Sequence, residues 1–180
     1  MNTKRFIYFL SLLLGVIFSI APAGRAQVKP ETKGPVIPHA FAVEKGRYGF
    51  IWKIYLEAED PDEQMFKIAC SVYQPGYGHY PTDWIYLKRE YQKHFRGYLQ
   101  WNTFSSKTPY LVDGTQIVLG VSIIDKAGNE SREVVFPFTF GPGIKGQYQY
   151  KLPSPFNEGD VPKLGNITTE LFEPTAMGIK

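Results

Sequence analysis

Along TQIVLGVSIID, residues 115–125, every second side chain is large and aliphatic, so Ile117, Leu119, Val121 and Ile123 share one face of an extended chain. A helix turns through 3.6 residues and would scatter that set, whereas a strand of period two collects it. The pattern recurs in FIWKIYLEA, where Phe50, Trp52, Ile54, Leu56 and Ala58 oppose Lys53 and Glu57, and in REVVFPFTF, where Val134, Phe136, Phe138 and Phe140 oppose Pro137. Runs of this kind, rich in β-branched and aromatic residues, are what half-buried strands require. Pro137 cannot donate to a ladder, which places its strand at a sheet edge or a bulge.

Turn chemistry separates the runs at EDPDEQ (59–64), QPGYGHYPTD (74–83), VDGT (112–115) and DKAGNES (125–131). Gly, Pro, Asp and Asn collect there because they tolerate or preset turn dihedrals. PVIPHAFAV (35–43), MFKIACSVY (65–73), WIYLK (84–88) and GYLQWNTF (97–104) complete a set of about seven short strands, which predicts an all-β antiparallel sandwich. One segment is ambiguous: Trp84, Leu87, Tyr91, Phe95 and Tyr98 also fit a helix face, and a short strand, one helical turn near 89–94 and a second strand from Gly97 reconcile the two patterns. In MFKIACSVY the alternation points Phe66, Ile68, Cys70 and Val72 inward, which makes Cys70 a buried structural thiol rather than a nucleophile.

The chain begins with basic Lys4 and Arg5, an apolar stretch from Phe6 to Ile20, and small residues that offer cleavage after Ala23 or Ala26. Residues 1–26 therefore read as a secretory signal peptide, with an uncleaved anchor as the alternative. The expected location is periplasmic or secreted, with no membrane span after cleavage. Residues 27–34 form a polar lead-in, 35–140 the sandwich, and 141–180 a Gly/Pro-rich C-terminal extension that either trails freely or lies against the sandwich, with NITTELF (166–172) as a candidate extra strand. Loss of Lys4, Arg5 and Arg25 leaves the 20 basic residues reduced to 17, against 17 acidic ones. A neutral chain lacks the positive surface that nucleic-acid binding needs. The single cysteine cannot close an intramolecular disulfide, so packing alone must stabilise the domain.

IYLEAEDPDEQMFKIACSVY and TQIVLGVSIIDKAGNES together resemble the B–C and F–G hairpin regions of bacterial extracytoplasmic immunoglobulin-like and fibronectin type III-like domains, in which D-x-A-G-N fills the last hairpin. The resemblance covers residues 35–140 and implies an immunoglobulin-like sandwich. The chain departs from antibody-type domains in lacking a cysteine pair across the sheets and a tyrosine at the start of the TQIVL strand.

B–C and F–G loops emerge at one end of such a sandwich, which would bring Glu59, Asp60 and Asp62 opposite Asp125 and Asn129. Those are hard oxygen ligands of the kind calcium takes; the competing reading is that turns simply need these residue types. No other cofactor is expected. A second candidate is the aromatic loop: Tyr77, His79, Tyr80 and Trp84 could form a platform for a glycan or an anchor for a protein, with Tyr77, His79 and Tyr80 the rings expected at the surface. The 3 histidines, His39, His79 and His94, form no metal-spaced pair, and the sequence holds no G-x-S-x-G, H-E-x-x-H or phosphate-cradling loop. The expected function is accordingly non-catalytic: a module that binds or braces a protein partner. A carbohydrate-binding module is the alternative, and a hydrolase with an unrecognised site is the third reading.

Overall fold

The strand that Ile117, Leu119, Val121 and Ile123 predict does form, and all four side chains are fully buried. In the computed structural model, which describes residues 34–44, 50–103, 114–140 and 151–172, it is β7 (Gln116–Asp125). The other strands are β1 (Val36–Glu44), β2 (Ile51–Glu59), β3 (Met65–Gln74), β4 (Gly78–His79), β5 (Asp83–Tyr86), β6 (His94–Asn102), β8 (Val134–Thr139) and β9 (Lys163–Ile167). The expected signal peptide, nearly all of the lead-in, and residues 141–150 and 173–180 of the extension lie outside the described residues.

Two sheets result. Sheet A runs β1-β2-β6-β9, and sheet B runs β4-β3-β7-β8 with β5 also paired to β3. Within them, β1, β2 and β6 are consecutive neighbours in one sheet and β3, β7 and β8 in the other. The fold is thus the all-β sandwich that the alternation predicts. Trp52, Ile54, Leu56 and Ala58 of β2 face Ile68, Cys70 and Val72 of β3 and the β7 and β8 rows across a shared core. Pro137 lies in β8, the terminal strand of sheet B, as its missing N–H requires. A turn of 3-10 helix at Arg89–Tyr91 occupies the expected helical site, and the following strand starts at His94, three residues before the predicted Gly97.

Two local features depart from the simple pattern. A register shift between Met65 and Lys67 breaks the parity of β3, so Met65 is buried and Phe66 is exposed, the reverse of the expected orientation. Beyond it the alternation resumes, and Cys70 is fully buried. Burial pushes its thiol far above the ordinary value, and the nearby Asp83 charge adds to the effect, so the thiol stays protonated.

The second is the extension. Its residues 151–172 lie in the same compact unit as the sandwich and wrap it. Phe156 is buried with Val43 and Tyr55 on the outer face of sheet A, flanked by Leu152 and Val161. Arg96 Nη1 donates to the carbonyl oxygens of Pro155 (2.7 Å) and Glu158 (3.4 Å). The chain then enters sheet A as β9, parallel to β6, and the strand covers Lys163–Ile167 rather than the predicted 166–172. Two glycines make this insertion feasible. A Cβ on Gly97 would stand 2.5 Å from Leu164 Cγ, and one on Gly165 would stand 2.6 Å from Ile85 Cγ2. Each glycine admits the partner's side chain.

After β9 the backbone closes over the side of the sandwich. Trp101 Nε1 donates to the Thr169 carbonyl oxygen at 3.0 Å, and Asp83 Oδ2 accepts from the Thr168 amide and, at 2.9 Å, from its hydroxyl. Ile167 and Leu171 complete the core.

Candidate functional site

The two acidic loops do meet at one end, where the Lys126 amide donates to the Gln64 carbonyl oxygen at 3.0 Å. Their carboxylates, however, turn inward to their own backbones. Asp60 Oδ1 and Oδ2 accept from the amides of Asp62 and Gln64, both at 2.9 Å. Asp125 Oδ1 accepts from the Asn129 amide at 2.8 Å, and Oδ2 from the Asn129 side-chain amide at 2.6 Å. Asp60 and Asp125 are buried, while Glu59 and Asp62 are exposed. Among the described residues no three His, Cys, Asp or Glu side chains are grouped so as to hold a metal ion. The geometry is that of two tight turns, each braced by its first aspartate.

The aromatic loop divides. Tyr77 is exposed and its ring contacts both Tyr80 (4.6 Å) and Phe172 (4.7 Å), which are themselves 6.1 Å apart. His79 is exposed and lies 4.8 Å from the Tyr73 ring. Tyr80, expected at the surface, is instead buried. Its hydroxyl donates to Gln74 Oε1 at 2.5 Å and accepts from the Phe172 amide at 2.9 Å, while Gln74 Nε2 donates to the Phe172 carbonyl oxygen at 3.0 Å. These contacts satisfy a polar group whose burial would otherwise be costly. Burial raises the Tyr80 hydroxyl above its ordinary range, so it stays a protonated donor. Tyr77 and Tyr80, half of the predicted site, therefore hold Phe172 of the extension.

Trp84 belongs to a different surface. Ile85 of β5 and Leu87 just after it are buried in the core, which turns Trp84 and Tyr86 onto the outer face of sheet B. Phe66 joins them through its register shift, with its ring edge-on to Tyr86 at 5.3 Å. Tyr73 and His79 extend the row along β3, so the rings cover about 20 Å of sheet at 3.3 Å per residue. Phe66, Tyr73, Trp84 and Tyr86 are 38%, 39%, 42% and 62% exposed. Lys67 Nζ sits 3.8 Å from the centre of the Trp84 ring. Tyr86, Tyr73 and Phe66 lie outside the four residues that the sequence offered as the aromatic site, and Phe66 was expected in the core. The parity of WIYL carried a signal for Tyr86, since one of the two alternating pairs had to face out.

The outer face of sheet A offers the contrast. Its aromatic residues Tyr55 and Phe41 lie under the extension, and its polar groups are engaged with one another: His39 Nδ1 is 2.8 Å from Glu57 Oε2, and His94 Nε2 is 3.4 Å from Glu57 Oε1. No helix among the described residues is long and apolar enough to cross a membrane. Compared with known proteins, the chain matches no family model and no curated sequence.

Proposed function

We propose that this chain is an exported, non-catalytic module related to extracytoplasmic immunoglobulin-like domains, and that it binds a protein partner in the periplasm or at the cell surface through the outer face of sheet B. The observation that carries this reading is the asymmetry of the two faces. The chain covers the aromatic residues of sheet A with its own extension and leaves Phe66, Tyr73, Trp84 and Tyr86 at the surface of sheet B. A clustered set of large aromatic side chains at a surface is the composition of an interface centre, where tyrosine and tryptophan supply contact area at small entropic cost.

Export is supported by the basic, apolar and small-residue sequence of residues 1–26. The non-catalytic reading is supported by the engagement of the polar groups: Asp60 and Asp125 brace turns, His39 and His94 flank Glu57, and His79 packs on an aromatic ring. A carbohydrate platform is less well supported, because the Lys67 ammonium occupies one face of the Trp84 indole that a sugar would stack upon.

The test is site-specific photo-crosslinking in the producing cell. A photoreactive residue at Tyr86 is expected to trap a discrete envelope protein, and one at Asp160, exposed on the extension, to trap none. Equal capture at both positions, or none at Tyr86, would refute the reading. Binding to a glycan array that is lost on Trp84→Ala would transfer the face to sugars.

A further inference from the structure

The outer face of sheet B ends at β5, and β5 carries more than exposed rings. The Leu87 amide donates to the Phe66 carbonyl oxygen at 2.9 Å, and the β3–β5 register places Ile85 opposite Ile68 and Asp83 opposite Cys70. In an antiparallel ladder the residues that exchange hydrogen bonds alternate with those that do not. Asp83, Ile85 and Leu87 therefore direct their backbone groups toward β3, and Trp84 and Tyr86 direct theirs away from it. Among the described residues no strand pairs with β5 on that side. The same two residues thus present a ring on the outer face and, among the described residues, an N–H and C=O with no strand partner along the edge.

Sheet edges usually carry devices that discourage pairing, such as proline, charge or a bulge. The edge strand β8 carries Pro137, and β9 begins with exposed Lys163 and has a bulge opposite β6. β5, with the sequence DWIY, has none of these on the residues that face the edge. Its length is set by Pro81 on one side and the 3-10 turn at Arg89–Tyr91 on the other. Charge near the edge is unequal as well. Lys67 reaches over Trp84, and exposed Lys88 and Arg89 follow the strand, whereas Asp83 at its start is engaged by Thr168 and only Glu90 opposes them.

We infer that β5 is a docking edge for an extended segment of a partner protein, which adds a strand to sheet B beside Trp84 and Tyr86. The occupant carries two apolar side chains, two residues apart, that lie against those rings as cross-strand neighbours. It carries an acidic residue at the end that meets Lys88 and Arg89. Four strand residues span about 13 Å, so the paired segment is short. The aromatic anchors and the backbone pairing act together, and neither suffices alone. This inference rests on the proposed partner-binding role of the face and specifies the form of the partner.

The test uses a twelve-residue peptide selected from a random displayed library on the purified protein, with residue-resolved amide exchange measured by NMR. In the free protein the Trp84 and Tyr86 amides are expected to exchange quickly while those of Ile85 and Leu87 are protected. On peptide binding both outward amides should become protected by about tenfold or more, the size of one added hydrogen bond. Trp84→Thr with Tyr86→Thr should abolish selection without loss of folding, since both rings are exposed. Lys88→Glu should weaken a selected acidic peptide and leave an apolar control unchanged.

If the ring resonances shift while the two amides remain unprotected, strand addition is refuted and side-chain docking on the face survives. If no peptide is selected over the double variant, both fail. If the outward amides of the free protein become protected as its concentration rises, the occupant is a second copy of this chain and the inference is overturned.

Discussion

Ending the chain at residue 150 is expected to lower the melting temperature by about 15 °C or more, or to abolish cooperative folding. The loss removes Phe156, Ile167 and Leu171, each almost fully buried, and each such side chain contributes about 1.5–3 kcal/mol. It also strips the cover from Val43 and Tyr55 and leaves the Trp101 N–H without its acceptor. A total of about 5 kcal/mol is as large as the whole stability of many domains, and for a chain of this size each kcal/mol moves the midpoint by about 2–4 °C. Calorimetry on the full and shortened chains checks it. A shortened chain that melts within a few degrees of the full one would show the extension to be an appendage.

Trp101→Ala is the second large effect. Trp101 is fully buried, lies 6.2 Å from the Phe138 ring, and donates its N–H to the Thr169 carbonyl oxygen, so it joins sheet A, sheet B and the extension. Replacing it should cost about 3–5 kcal/mol through the cavity and the lost contacts. Trp101→Phe keeps most of the volume and loses the hydrogen bond, and should cost about 1–2 kcal/mol. Urea unfolding should show both as a lower midpoint at unchanged slope. Equal costs for the two variants would mean that the hydrogen bond to the extension, rather than ring volume, dominates.

Both predictions concern a segment whose structure the sequence hardly disclosed. The alternation in β2, β7 and β8 was legible because each run has one apolar face and an identifiable opposite, so the direction of every side chain follows from one choice. β9 has no such pattern. KLGNI is set in place by the Gly97–Leu164 and Ile85–Gly165 contacts, which join residues far apart in the chain. Local periodicity cannot encode them.

The candidate site was legible in the same uneven way. Position and composition marked residues 74–87 as unusual, but WIYL is apolar throughout, and no polar residue within it says which pair faces out. The orientation of Tyr80 depends on an amide 92 residues away. The register shift at Phe66 moves a ring from the core to the surface without any glycine or proline to announce it. The acidic loops were legible as turns, and the two readings of Asp60 and Asp125 differed only in what their oxygens faced. The structure gives each of those oxygens a donor from its own loop.

The chain covers aromatic residues on one outer face of the sandwich with its own C-terminal segment and leaves those of the other in contact with water. Hydroxyl-radical footprinting read by mass spectrometry measures that difference directly, ring by ring. Heavy oxidation of Trp84 and Tyr86 beside protection of Tyr55, Phe156 and Trp101 is the predicted result. Comparable oxidation of Tyr55, Phe156 and Tyr86 would contradict it.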